Sequence, residues 1–155
     1  MKLTLLLLFA MVSLSNQTAQ SKQMLPCPGG KDVSLDQFRW ENRVLVLFAP
    51  DLDNESYKSQ IERFSTLEEE LADRDIVTIS IFGNDCSLVN REKITGESAA
   101  EIADRLEGTT ETFSIYLIGK DGGVKLERKQ VLQPEELFQV IDRMPMRQRE
   151  MRDGG

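Results

Sequence analysis

Two apolar segments separated by a helical pattern constrain the fold more than any other feature of the sequence. Residues 44–48 (VLVLF) form an unbroken apolar run and 76–82 (IVTISIF) a second apolar segment, and both are typical of strands buried on both faces. Between them, apolar residues recur at spacings of four, three, three and four, which predicts one face of a helix over 55–72. These residues are Tyr57, Ile61, Phe64, Leu67 and Leu71. A β-α-β unit of this kind requires parallel strands and helices on both sides of the sheet.

The rest of the chain predicts a second helix, a β-hairpin and a final helix. Ser98 is followed three positions later by Glu101, which is the pattern of a capping box at a helix start. Strand-forming segments at 113–118 and 124–129 flank a glycine-rich turn, as in a hairpin. Pro134 suits the first position of a final helix. The predicted order is β-α-β-α-β-β-α, an α/β fold whose mixed sheet has about four strands with helices on both faces.

The N-terminus has the pattern of a secretory signal peptide. Met1 and Lys2 give a positive start, and 3–14 is an apolar run that is shorter than the roughly 20 residues that a membrane-spanning helix needs. Small residues at Ser13-Leu14-Ser15 and Ala19 offer two candidate cleavage sites. We therefore predict a signal peptide over 1–20 and an exported protein, periplasmic or extracellular, with no membrane attachment after its removal. A buried N-terminal helix or a membrane anchor is the alternative.

The two cysteines of the chain are candidates for one disulfide bond. Cys27 lies in a polar arm, 21–33, that is rich in proline and glycine, and Cys86 lies in the polar stretch after the second apolar segment. Export would place both where disulfides form, and a Cys27–Cys86 bond would close a loop of roughly 60 residues. The sequence alone leaves open whether the two residues approach closely enough to be joined.

Composition and charge exclude several classes of function. The net charge of −7 makes nucleic-acid binding a poor fit. The absence of histidine removes the commonest general base and metal ligand. Two cysteines without histidine cannot build a zinc finger. We predict no metal, no cofactor and no nucleic-acid partner.

Several segments of the sequence carry a resemblance to known families. The segments 33–38 and 42–50 resemble the opening of peroxiredoxins and exported thioredoxin-like proteins. More specifically, 35–40 (LDQFRW), 117–123 (LIGKDGG) and 141–147 (IDRMPMR) are similar to a bacterial domain-of-unknown-function family that also occurs in extracellular sushi-repeat and related matrix proteins. This resemblance implies a thioredoxin-like domain over 34–146, followed by a basic tail over 147–155. The family has no settled activity.

The segment that would carry thioredoxin chemistry has no thiol. That chemistry needs a thiolate where the first strand meets the next helix, and 49–57 (APDLDNESY) contains no cysteine. If Pro50 matches the proline of the peroxiredoxin motif, Tyr57 stands at the cysteine position. Redox-active relatives also keep a cis-proline before the third strand, where this chain has 108–112 (GTTET). We therefore predict no catalytic residue.

Two functions are the leading hypotheses for a chain with these features. The first is a non-enzymatic interaction or structural protein, for which Arg147, Arg149 and Arg152 of the basic tail are candidate contacts to an unknown protein partner. A solvated tail is the other interpretation of these arginines. The second function is an atypical thiol oxidoreductase or peroxidase that uses Cys86 with Cys27. Small-ligand binding near 51–57 is a third hypothesis, which no spacing in the sequence supports.

Overall fold

The computed structural model describes residues 24–154, and within them the two apolar segments form neighbouring parallel strands. Strand β1 (Arg43–Ala49) pairs with β2 (Ile76–Phe82) from Arg43↔Ile76 to Ala49↔Phe82. The predicted signal peptide, 1–20, lies outside the described residues. Between residues 24 and 154, no helix is long and apolar enough to cross a membrane.

The described chain forms one mixed sheet with helices on both faces. The other strands are β3 (Leu88–Val89), β4 (Glu92–Lys93), β5 (Ser114–Ile118) and β6 (Val124–Arg128). The helices are α1 (Glu55–Ser65), α2 (Glu68–Asp73), α3 (Gly96–Arg105), α4 (Pro134–Asp142) and α5 (Pro145–Asp153). The sheet order is β4-β3-β2-β1-β5-β6, and every pairing in it except β1–β2 is antiparallel.

Alternate residues of β1 face two separate hydrophobic clusters. Val44, Val46 and Phe48 pack with residues of α3, whereas Leu45 and Leu47 pack with residues of α1 and α4. All seven residues of β1 are buried, as expected for a strand covered on both faces. The predicted α/β class, with a mixed sheet between helices, is confirmed.

The sheet has six strands, not about four. The two extra strands, β3 and β4, form a hairpin in the polar stretch after β2. Its turn residues Asn90 and Arg91 have φ angles of 45° and 71°, which is the combination that a two-residue type I′ turn requires. Each of these strands has two residues, so neither is long enough to show the alternation by which strands are recognised in a sequence.

The helix predicted over 55–72 is two helices. The first, α1, ends at Ser65, and the N–H of its C-cap Thr66 donates to the carbonyl of Phe64. The second, α2, then begins with Glu68, Glu69 and Glu70 in its first turn. Acidic residues are favourable at a helix N-terminus because the positive end of the dipole lies there, whereas a single helix would have placed them near its negative end.

The N-terminal arm, predicted as a polar segment before the domain, contributes residues to the hydrophobic core. Met24 and Val33 belong to the cluster beneath α3, and the N–H of Val33 donates to Ser98 Oγ over 2.8 Å. The capping box predicted at Ser98 and Glu101 is wrong, because α3 begins at Gly96 and Thr95 Oγ1 caps it by accepting from the N–H of Ser98. Gly30 packs so closely that a Cβ there would lie 2.5 Å from the carbonyl carbon of Ile94.

Gln60 of α1 supports a stability prediction because it is fully buried. Its Nε2 donates to the carbonyl of Leu132 over 3.0 Å, and its Oε1 accepts from the N–H of Leu132 over 2.7 Å. Replacing Gln60 with leucine leaves both peptide groups without partners in an apolar setting, and we expect a loss of about 2 kcal/mol in the free energy of unfolding. Urea denaturation measures it. Glu62→Leu, at an exposed position of the same helix, is the control, and equal stability of the two variants would contradict the prediction.

Candidate functional site

The junction between β1 and α1 is the place where the resemblance would put a catalytic thiol. Here Asn54 caps α1, because its Oδ1 accepts from the N–H of Tyr57 over 3.0 Å, and Asp51 Oδ1 accepts from the N–H of Asp53 over 3.1 Å. The polar side chains of this loop therefore hold its backbone in place. Helix-cap and turn hydrogen bonds of this kind explain why Asn54 and Asp51 occupy these positions, without a catalytic role.

Tyr57, which the resemblance to peroxiredoxins would align with their cysteine, is held by a hydrogen bond and by ring packing. Its hydroxyl lies 3.1 Å from Ser80 Oγ, and its ring packs edge-to-face on Phe82 with 4.9 Å between centroids. Burial raises the pKa of Tyr57, and the weaker opposing effect of the Ser80 hydrogen bond does not reverse this. The phenol is therefore neutral at physiological pH and unsuited to act as a nucleophile.

The loop that carries Cys86 is bonded to the β1–α1 loop. The N–H groups of Gly83 and Asn84 donate to the carbonyl of Pro50 over 3.1 and 2.9 Å, and the N–H of Leu52 donates to Asp85 Oδ2 over 2.8 Å. These bonds bring the segment before Cys86 to the carboxyl ends of β1 and β2, where α/β proteins place their sites.

Cys27 and Cys86 form a disulfide bond, the pairing for which the sequence made them candidates. Their Cα atoms are 5.5 Å apart and 59 positions separate them in the chain. Cys27 is buried and Cys86 is half-buried. The chain has two cysteines and the described residues contain no free one. No thiolate is present in this state for the nucleophilic chemistry of the second hypothesis.

A second polar feature is a cluster of ion pairs beneath α5, here called the α5 charge cluster. Its members are Arg43, Asp73, Arg74, Asp75, Lys120, Asp142, Arg147 and Glu150. At its centre Arg43, whose side chain is 1% exposed, donates from Nη1 and Nη2 to the two oxygens of Glu150, each over 3.2 Å. Lys120 Nζ lies 2.7 Å from Asp75 Oδ2 and 2.8 Å from Glu150 Oε1. This geometry combines a bidentate arginine–carboxylate pair with a bridging lysine.

Most of the predicted basic tail, 147–155, lies in the helix α5, and its first arginine is not solvated. Arg147 is buried, ion-paired to Asp73, and donates from Nη1 to the carbonyl of Asp73 over 2.7 Å. It shares Asp142 with Arg74, whose Nη2 lies 2.8 Å from Asp142 Oδ2. Arg149 and Arg152 are exposed. The three candidate partner contacts therefore do not form one surface, because Arg147 is occupied inside the protein.

The cations of the α5 charge cluster shift the pKa values of its carboxylates. Burial disfavours the charged forms of Asp142 and Glu150, but the hydrogen bonds and charges of neighbouring cations outweigh it. These cations are Arg74 and Arg147 for Asp142, and Lys120 and Arg43 for Glu150. The pKa of each carboxyl group therefore lies below its usual value. For Lys120, burial lowers the pKa, but Asp75 and Glu150 outweigh it and the pKa lies above its usual value.

Two cavities border these features. One, of about 350 Å³, lies between the helices α1 and α2 and the strands β2 and β3, and is lined mainly by apolar side chains such as Phe64 and Leu88. The other, also of about 350 Å³, lies at the start of α5 and is lined by Arg43 and Lys120 of the charge cluster. Within 24–154, no group of three or more metal-ligating side chains is positioned to hold a metal ion.

Comparison with known proteins places the chain in a family. The model of the family described as domain of unknown function (DUF4174) matches residues 34–150. The chain belongs to this family. The match covers the sheet from β1 to β6 and α5 as far as Glu150, so the α5 charge cluster lies within the DUF4174 domain. No solved structure shows a significant match.

Several animal proteins are similar in sequence to this chain. Over 133 residues the chain is 26% identical to coiled-coil domain-containing protein 80 of Danio rerio, which covers 76% of this chain and 15% of that protein. Over 111 residues it is 30% identical to sushi repeat-containing protein SRPX2 of Homo sapiens, and the alignment covers 70% of this chain and 24% of that protein. Over 120 residues it is 29% identical to sushi repeat-containing protein SRPX of Homo sapiens, and the alignment covers 76% of this chain and 26% of that protein. The chain thus spans about a quarter or less of the length of these relatives.

Sequence reasoning missed the α5 charge cluster of the DUF4174 domain. Arg43 and Glu150 are 107 positions apart, so no local pattern links them. Two signals were nonetheless present. Arg43 directly precedes an unbroken apolar run, and Pro145 suits the first position of a helix, which indicates that the tail is structured.

Acid should destabilise the DUF4174 domain through Asp142. Because the pKa of Asp142 is lower in the folded state than the value of about 3.9 expected when unfolded, its stabilising contribution is fully present above the unfolded pKa. That contribution is lost as the pH falls through the folded pKa. We expect Asp142→Asn to lose less stability than the wild type between about pH 5 and pH 2, as measured by thermal unfolding across that range. Asp53→Asn, at a carboxylate whose side chain is 98% exposed, is the control and should follow the wild type. An Asp142→Asn curve parallel to the wild type would contradict the prediction.

Proposed function

We propose that this chain is an exported, thioredoxin-like domain that acts as a non-enzymatic interaction or structural protein. The observation that carries the proposal is the disulfide. The chain has two cysteines, both are consumed in one bond, and the junction of β1 and α1 holds none. A scaffold of this kind offers surfaces for binding but no thiol for exchange.

The sheet topology supports the thioredoxin-like part of the proposal. The strands β2, β1, β5 and β6 are adjacent in that order, with β1 and β2 parallel and β5 and β6 antiparallel to their neighbours. Helices cover both faces. This is the arrangement expected of a thioredoxin-like core, and the hairpin of β3 and β4 extends it at one edge.

The disulfide and the relatives support the remaining parts. A disulfide is typical of exported proteins and agrees with the signal-peptide pattern of the sequence. The relatives named for sushi repeats contain the domain as a minor share of a much longer chain, which suits a module that contacts other domains or proteins. Of the three arginines predicted as partner contacts, Arg149 and Arg152 are exposed and available for an acidic partner.

The test is a thiol count combined with an activity assay. Purified protein, denatured without reductant, is titrated with a thiol reagent, and the folded protein is assayed for reduction of insulin disulfides and for peroxide consumption. We expect no titratable thiol and no turnover. The Cys86→Ser variant, which leaves Cys27 as one titratable thiol, should then be less stable than the wild type and should also show no turnover.

The competing oxidoreductase hypothesis predicts a different pattern. A fast-reacting thiol after brief treatment with mild reductant, together with turnover that Cys86→Ser abolishes, would overturn the proposal. A reduced pair that reacts slowly and supports no turnover agrees with it, because an unactivated thiol has a pKa of about 8.5.

A further inference from the structure

The cavity at the start of α5 is lined by more positive than negative side chains. Its volume of about 350 Å³ falls within the range of about 300 to 1,000 Å³ typical of small-molecule sites. The charged side chains lining it are Arg43, Lys120, Lys125, Arg143 and Asp121. Four cations thus surround this cavity with one carboxylate, Asp121, which pairs with Lys125 over 2.6 Å, in a chain whose net charge is −7.

The cations retain hydrogen-bond donors that the protein does not use. Arg43 is 99% buried, since its relative exposure is 1%, and its Nε–H has no acceptor among the described residues. Lys120 Nζ contacts two carboxylates, and an ammonium group has three donors. Arg143 is exposed, and no ion pair joins it to another residue of 24–154. The carboxylates that pair with Arg43 and Lys120, which are Glu150 and Asp75, lie outside the cavity lining.

The start of α5 adds to the positive character of the cavity. Met144, Pro145 and Met146 line it, and the N-cap Met144 has no side chain able to cap the helix. The first-turn N–H groups of a helix have no intrahelical acceptors, and the helix dipole places partial positive charge there. An anion in this cavity would therefore lie near the positive end of the helix dipole as well as near the cationic side chains.

The remaining lining of the cavity is apolar. Val140, Met144 and Met146 form it together with the ring of Pro145, and methionine side chains adapt to ligands of irregular shape. A cavity with cationic side chains and an apolar wall suits a ligand with a charged head and a short apolar body.

We propose that this cavity binds a small organic anion, a carboxylate or a phosphate monoester that carries a short apolar chain. The carboxylate or phosphate lies among Lys120, Lys125, Arg143 and the first turn of α5, and the apolar chain lies against Val140 and Met144. The proposal does not depend on the absence of thiol chemistry, and its test is separate from the thiol count.

The first experiment compares three probes of equal chain length. Isothermal titration calorimetry with the purified protein is carried out with hexanoate, hexyl phosphate and 1-hexanol. We expect saturable one-to-one binding at millimolar or lower concentration of at least one of the two anions, and no saturation with the neutral alcohol. Whichever anion binds more tightly identifies the head group. No saturable binding of either anion, or equal binding of 1-hexanol, overturns the proposal.

Variants locate the site. Arg143→Gln and Lys125→Gln each remove one cation from the lining and should weaken anion binding about fivefold or more, because charge-assisted hydrogen bonds are lost. Val140→Phe should weaken it by occupying the apolar side while leaving every charge in place. Lys129→Gln is the matched control, because Lys129 is an exposed cation that follows β6 and does not line the cavity. If Lys129→Gln weakens binding as much as Lys125→Gln, the attraction is non-specific and the proposal fails.

Discussion

Reducing the Cys27–Cys86 bond is expected to lower the free energy of unfolding by about 4 kcal/mol. The bond joins residues 59 positions apart, and in the loop-closure model a cross-link of this span removes much of the conformational freedom of the unfolded chain. A change of this size is a large part of the stability of an ordinary domain, about 5 to 15 kcal/mol. Chemical denaturation with and without a phosphine reductant measures it on the same chain.

The double variant Cys27→Ala with Cys86→Ala is the matched protein for this measurement. It cannot form the bond, so its denaturation midpoint should not change with reductant and should lie near that of the reduced wild type. A wild-type midpoint that reductant leaves unchanged, although a thiol count shows that the bond is broken, would contradict the expected stabilisation.

The bond also has a local consequence, because it ties the N-terminal arm to the end of β2. The arm contacts the rest of the protein through a bridge beside β4, where the N–H of Lys31 donates to the carbonyl of Lys93 over 2.9 Å and the N–H of Thr95 donates to the carbonyl of Lys31 over 3.0 Å. We expect hydrogen exchange at these amides to accelerate on reduction before exchange in β1 does, because they lie beside the edge strand β4, whereas β1 is central and buried throughout.

The central part of the fold was predictable because its signals are local and repeated. The apolar run of β1, the second apolar segment of β2 and the glycine-rich turn between β5 and β6 each specify one element within a few residues. Residues at alternate positions of β1 then pack against helices on opposite faces. Burial on both faces therefore follows from apolar character alone.

The elements that were missed have signals too short or too distant to recognise. Asn90 and Arg91 form the turn of a hairpin whose strands have two residues each, so its geometry depends on backbone angles rather than on a hydrophobic pattern. The break between α1 and α2 at Thr66 interrupts an apolar spacing that otherwise continues. Periodicity reports which residues face the core, but not whether the helix between them is continuous.

Of the candidate site residues, some could likewise be predicted from the sequence and others could not. The pairing of Cys27 with Cys86 could be proposed because the chain offers one pair. The burial of Arg147 could not, because a run of arginines near a chain end has the composition of a solvated segment. Its burial depends on Asp73, which is 74 positions away.

Glu150→Ala is expected to destabilise the protein by about 3 kcal/mol, since removing one partner of a buried ion pair leaves the other charge uncompensated. The charge left behind is the guanidinium of Arg43, whose side chain is 1% exposed and already has one donor without an acceptor. Lys120 would lose one of its two carboxylates as well. Glu136→Ala is the matched control, because the side chains of its ion pair with Arg128 are each 40% exposed, and such surface pairs contribute about 1 kcal/mol or less.

The double variant Arg43→Met with Glu150→Ala separates the unpaired charge from the loss of contacts. Methionine fills much of the same space without a charge, so we expect the double variant to be more stable than Glu150→Ala alone.

Arg147 is the buried residue of α5, so this helix is held mainly by ion pairs and should show the change first. Hydrogen exchange over 145–153 in the Glu150→Ala variant should therefore rise more than in β1, and it should not rise in Glu136→Ala. If Glu150→Ala and Glu136→Ala have the same stability and the same exchange in α5, the α5 charge cluster does not hold the helix in place. The helix would then be attached by the apolar contacts of Met144 and its neighbours.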